Sequence, residues 1–139
     1  MRRFPFGLHI PVNDLREMVV SGIAHPMPEW SPETSRQFRL ARTAAAQQAR
    51  LYATQGFAVA IDDVIGPSEV AVLETEFLES LEVYKLLLRP RLEIVLKHNT
   101  ARTGKDFDTA ALELAIHRLY ESTDPEEYQG AGWLVLEAG

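Results

Sequence analysis

The stretch FAVAIDDVIG, residues 57–66, constrains the fold more than any other part of the chain. Phe57, Val59 and Ile61 alternate with Ala58 and Ala60, and both sets are apolar. A strand with one wet face alternates apolar and polar residues. One that is apolar on both sides predicts cover on both faces, as in a parallel sheet between helix layers. The run ends on Asp62 and Asp63, so two carboxylates stand at its C-terminal end, ahead of Val64-Ile65-Gly66-Pro67. Such a pair can hold a metal ion, or it can be the solvated start of a turn.

The rest of the chain repeats the alternation of strand and helix. GLHIPV, 7–12, is a short β-prone run in which Pro11 suits a strand end. Asn13 or Asp14 then opens a short helix ending near Ser21-Gly22, and Asp14 and Glu17 have capping-box spacing. Pro26, Pro28 and Pro32 predict a loop over 23–32. Ser31, Pro32 and Glu33 read as N-cap, first helical residue and dipole-matched acid of a long helix that Gly56 closes. Phe38, Ala41, Ala45, Ala49 and Tyr52 give that helix an apolar face whose alanines suit close approach to a sheet. Arg36, Arg39, Arg42 and Arg50 lie off this face. A helix over 68–79 and a second buried-type strand, EVYKLLL at 82–88, come next. Pro90 starts a helix to about Asn99, the polar loop TARTGKDFD follows, and Asp108 caps a helix with Leu112, Ala115, Ile116, Leu119 and Tyr120 on one face. WLVLEAG, 133–139, is the last strand. This order predicts an α/β domain with a mainly parallel sheet, whose ligands bind beyond the carboxyl ends of the strands. Asp14, the Asp62-Asp63 pair and Arg89 are the charged groups at those ends.

Composition narrows the function classes. A length of 139 residues suggests one domain. The absence of cysteine excludes disulfides, thiolate zinc sites and Cys nucleophiles, and it fits a cytoplasmic protein. A net charge of -6 argues against a general nucleic-acid binder. No apolar stretch is long enough to span a bilayer, so no membrane partner is expected. His9, His25, His98 and His117 lack the i, i+3 or i, i+4 spacing of a helical metal site. The serines lack the G-x-S-x-G context of a nucleophile elbow. Trp30 and Trp133 read as packing residues.

Four segments in order, HIPVNDLREMVVSG, GFAVAIDDVIGP, LLLRPRLEIVLKHN and ARTGKDFD, resemble the small P-loop phosphotransferases related to chloramphenicol phosphotransferase and the nucleoside-monophosphate kinases. The resemblance spans almost the whole chain. It implies ATP and magnesium as cofactors and a small-molecule acceptor. Family members begin with a strand and a G-x-x-x-x-G-K-[ST] loop that wraps phosphate with backbone N–H groups. This chain has no such motif, since Asn99 stands five residues before Gly104 and Asp106 follows Lys105. Met1-Arg2-Arg3-Phe4 looks like the tail of the family's first helix, and relatives continue past Gly139 into a final helix. The chain therefore reads as a single truncated kinase-like domain, 1–139, without the first strand and the phosphate loop. In the family's strand order, 2-3-1-4-5, that strand is central. Its loss would leave unpaired edges on the strands at 57–63 and 82–88. Three outcomes are expected: these two strands pair directly, another chain fills the gap as in a homodimer, or stability is marginal.

The resemblance also assigns roles. Asp62 and Asp63 match the position of the acid that binds magnesium near the β and γ phosphates. Asp14 matches the acid that acts as base on the acceptor hydroxyl, although it also suits a helix N-cap. Arg16, Arg36, Arg39 and Arg42 are candidates for clamping an anionic acceptor, or form a solvated helix face with Glu33. Arg102 and Lys105 match the lid, with Arg102 stabilising the moving phosphoryl group. Arg89 is placed to touch nucleotide or a neighbouring carboxylate. Two functions are thus expected: an ATP-dependent phosphotransferase acting on a hydroxyl, inactive in this form, or a non-catalytic α/β module that self-associates or binds a protein partner.

Overall fold

The computed structural model describes residues 4–90 and 124–138. In chain order the elements are β1 (Gly7–Pro11), α1 (Val12–Glu17), α2 (Pro32–Ala53), β2 (Ala58–Asp62), α3 (Pro67–Glu76), β3 (Leu86–Pro90), α4 (Pro125–Gly130) and β4 (Leu134–Ala138). The class is α/β. Among the described residues the strands form two two-stranded sheets, β1 with β2 and β3 with β4, both parallel. The chain divides into two compact units, Met1–Val83 and Tyr84–Gly139.

In the first unit, α2 organises the packing. Ser31 caps it, accepting from the Thr34 backbone N–H while the Thr34 side chain accepts from the Ser31 N–H. The capping box thus closes on a threonine at its third position. Pro32 occupies the first turn, and Gly56, at φ +89°, ends the exit turn in the left-handed region that glycine tolerates. Ala41, Ala45 and Ala49 form one core with Ile10 and Val12, and Leu8, Leu15, Val59 and Leu78 pack around it. The register pairs Leu8 with Val59 and Ile10 with Ile61. Partners across a ladder share a face, so this is the face turned to α2. The opposite face carries His9, Ala58, Ala60 and Asp62, of which His9 and Asp62 are exposed.

The proline-bearing loop is tied back onto α2. Gln37 donates to the Gly22 carbonyl and accepts from the Ala24 N–H, both at 2.8 Å, and the Thr34 hydroxyl donates to the His25 carbonyl. Trp30 stacks on Phe38 with ring centroids 5.2 Å apart and donates to the Ser35 hydroxyl. At the other end of α2, Arg50 donates to the carbonyls of Phe77 and Glu79, just past α3. Phe57 is flanked by Phe6 and Tyr52.

In the second unit, Leu86 pairs with Leu134 and Leu88 with Leu136. These four leucines share one face and are 44–71% exposed. Asp124 caps α4 by accepting from the Glu126 N–H, and Tyr128 meets Trp133 edge to face.

Several expectations are corrected. The strands at 57–63 and 82–88 do not pair with each other; each pairs within its own unit. The second strand begins at Leu86 rather than Glu82, and it includes Pro90, the last described residue of this stretch. A strand extends only as far as its partner, and the ladder opens where the Leu134 N–H reaches the Lys85 carbonyl. Cover on both faces is also not met at His9 and Asp62 or at the four leucines. The expected helices at 90–99 and 108–120 and the loop between them fall outside the described residues, apart from Pro90. Ala45 is 1% exposed. Ala45→Leu should therefore overpack the α2–sheet contact and cost about 1–3 kcal/mol, read as a lower urea midpoint at unchanged m-value.

Candidate functional site

The parallel register aligns Pro11 with Asp62, so the segments leaving β1 and β2 share one edge of the first unit. Asp14 follows the first strand, Asp62 ends the second and Asp63 comes directly after it. Successive residues of a strand point to opposite sides, and the two aspartates divide accordingly. Asp62 is exposed and accepts from His9, itself exposed on the neighbouring strand.

Asp63 turns toward α2, where the guanidinium of Arg42 meets it. Arg42 Nε donates to Asp63 Oδ2 at 2.6 Å, Nη1 to Glu69 Oε2 at 2.5 Å and Nη2 to the Val64 carbonyl at 2.8 Å. All three guanidinium nitrogens are engaged. The side chains of Arg42 and Asp63 are only 13% and 8% exposed, so this ion pair is largely desolvated. Charge-assisted bonds in such surroundings are strong, and the loss of either partner is costly. Glu69 lies in the first turn of α3, where a carboxylate also complements the helix dipole. Arg42 thereby links the middle of α2, the end of β2 and the start of α3.

Asp14 is exposed in the first turn of α1. It is not the N-cap: Pro11 holds that position without a side-chain bond, because the chain enters the helix directly from β1. The expected pairing of Asp14 with Glu17 is replaced by Asn13 donating to Glu17 at 3.1 Å. Arg16 is 5% exposed and lies over the Phe38 ring at 4.9 Å, donating to Asn13 Oδ1 and the Ala24 carbonyl. Its Nε is buried without a partner among the described residues. Arg16 is thus packed inside the unit and does not stand on its surface. Arg36 forms two 2.8 Å bonds to Glu33 on the solvated side of α2. Arg39 is exposed on the same helix. Arg89 lies on β3 in register with Glu137 of β4 in the second unit. Arg102 and Lys105 fall outside the described residues.

The structure thus gathers Asp14, Asp62 and Asp63 at one edge of the first unit, with Arg36 on the solvated side of α2 and Arg89 in the second unit. It adds His9 and Glu69, which sequence reasoning did not select, and it makes Arg42, expected as an acceptor clamp, the partner of Asp63. Arg42 follows Ala41 directly, at the border of the face that packs on the sheet. Among the described residues, no group of three or more His, Cys, Asp or Glu side chains is arranged to hold a metal ion. None of the described helices is long and apolar enough to cross a membrane. No protein-family model matches the chain, and no curated protein matches its sequence.

Two outcomes are expected. Arg42→Gln should destabilise the protein by about 3–5 kcal/mol in chemical denaturation, because it strands the Asp63 carboxylate. Arg42→Gln combined with Asp63→Leu should lose less than Arg42→Gln alone, because the buried carboxylate is then gone and the Glu69 left behind is open to solvent. Hydrogen bonds from Arg36, then from Gln37, lower the Glu33 pKa to about 2. A carboxyl lowered in the folded state favours folding above its ordinary pKa, and that contribution fades as pH falls through about 2. NMR titration should find the Glu33 carboxyl moving back toward the ordinary carboxylate range in Arg36→Gln.

Proposed function

We propose that this chain belongs to an ATP-dependent phosphotransferase of the P-loop kinase type, which passes a phosphoryl group to a hydroxyl of a small-molecule acceptor. The observation that carries the reading is the strand pairing. In the order 2-3-1-4-5, leaving out strand 1 makes strands 2 and 3 one pair of neighbours and strands 4 and 5 another. The two parallel pairs of this chain, β1–β2 and β3–β4, follow that division. The acids then stand at the carboxyl ends of β1 and β2, where such sheets bind ligands.

The two aspartates take different parts in this reading. Asp63 is engaged by Arg42, and Asp62, which among the described residues meets only His9 and is 67% exposed, is the carboxylate that a cation can reach. Magnesium keeps several waters and uses one or two carboxylates beside phosphate oxygens, so a single exposed acid suits it. When bound, it would neutralise phosphate charge. Asp14, exposed and not consumed by helix capping, orients the acceptor hydroxyl and takes its proton late in a loose phosphoryl transfer. Arg39 is the exposed cation on α2 left for an anionic acceptor. Arg102 and Lys105 supply the lid.

The four exposed leucines of β3 and β4 favour a second reading, a non-catalytic module that self-associates or binds a protein partner through an apolar surface. Light scattering separates the two. A concentration-dependent dimer indifferent to nucleotide supports the module, and a monomer stabilised by ATP supports the kinase.

Because the chain carries no G-x-x-x-x-G-K-[ST] loop, calorimetry should detect no ATP-magnesium binding at about millimolar ligand. The kinase reading is tested by the coding sequence upstream of Met1. An in-frame phosphate loop after an apolar strand supports it, and the extended protein should turn over ATP. Asp14→Asn in that protein should lower kcat about 10²–10⁴-fold. An extended protein in which Asp14→Asn leaves kcat unchanged would remove Asp14 as base.

A further inference from the structure

The groups around the Arg42 guanidinium are all oxygens: the carboxylates of Asp63 and Glu69 and the carbonyl of Val64. Two carboxylates and a backbone carbonyl are also what a hard divalent cation takes from a protein, with water completing its shell. Here that position is filled from within the chain. The Phe38 ring lies 5.3 Å from the guanidinium, and solvent reaches little of either Arg42 or Asp63. Asp62, one residue earlier, has the opposite surroundings, with a side chain 67% exposed.

We propose that Arg42 is a built-in counter-ion that holds the cation position between Asp63 and Glu69 and so bars divalent metal from Asp63. It deepens the phosphotransferase reading by saying how one of two adjacent acids is withheld from metal, and it rests on that reading only for the use of the metal. The physical basis is competition for the same oxygen atoms. A metal on Asp63 Oδ2 must displace the Nε–H of Arg42, and it leaves a largely buried guanidinium without its main anion. The affinity of Asp63 for metal is therefore reduced by the fraction of molecules in which Arg42 has moved away. Removing the guanidinium lifts that penalty and leaves two carboxylates and a carbonyl facing one another.

The test is Mn2+ binding followed by electron paramagnetic resonance on the whole chain. Wild type, Asp63→Asn, Arg42→Gln and the double variant Arg42→Gln/Asp63→Asn are compared. Whatever Mn2+ the wild type binds should be unchanged in Asp63→Asn. Arg42→Gln should bind Mn2+ at least about tenfold more tightly than wild type, since affinity follows the number of charged ligands left free. That gain should disappear in the double variant. A clear loss of wild-type binding in Asp63→Asn overturns the proposal, as does a folded Arg42→Gln that gains nothing. Should Arg42→Gln fail to fold, the Asp63→Asn comparison decides alone, because it keeps Arg42 in place. A phosphotransferase reading that fails for lack of ATP turnover leaves these Mn2+ measurements intact, so the two ideas fail separately.

Discussion

Ala41, Ala45 and Ala49 present only methyl groups, which lets α2 lie close against Ile10, Val12 and Val59. The rest of the first unit follows from that approach. It fixes the distance from the α2 axis to the end of β2, and an arginine side chain at position 42 spans it. It also sets the level at which Gln37 meets the backbone of Gly22 and Ala24. Larger residues on this face would move the helix outward and take Arg42 away from Asp63. The apolar contact and the ion pair are thus one arrangement, with dispersion setting the spacing that the electrostatics need.

The candidate edge is notable for how its charges are disposed. Buried charge is tolerated when it is paired and fully hydrogen-bonded, and Asp63 with Arg42 meets that condition. Arg16 meets it less completely, resting on the Phe38 ring and on neutral oxygens instead of a carboxylate. Phe38 lies against both guanidinium groups and against Trp30. This ring is consequently a shared wall between the proline loop, α1 and the ion cluster.

Sequence made some of this legible and not the rest, for reasons that separate cleanly. The long helix was readable because its signals are local: Ser31 and Pro32 at the start, Gly56 at the end and alanines at helical spacing between them. The packing roles of Trp30 and Trp133 also hold, one against Phe38 and one against Tyr128. The start of β3 was not readable, because a partner strand decides it, and the register with β4 opens at Leu86 with Leu134. The six-residue α4 was missed although Asp124-Pro125-Glu126 is a recognisable helix start; it is too short to show a period. The acids at the strand ends were found from their position. Their ties through His9, Arg42 and Glu69 were not, because ion pairs between distant segments follow no spacing rule. The capping role expected of Asp14 failed because the helix begins directly at the end of a strand.

The register of β1 on β2 joins Gly7 to Ala58, with α1, the proline loop and the whole of α2 between them. Such a ladder cannot zip outward from a turn, because no turn connects its strands. The chain must first lose the entropy of closing that long connection, and the rigid rod of α2 shortens what remains to be closed. The capping residues Ser31 and Thr34, by holding the start of that rod, therefore also favour the closure that brings β1 to β2.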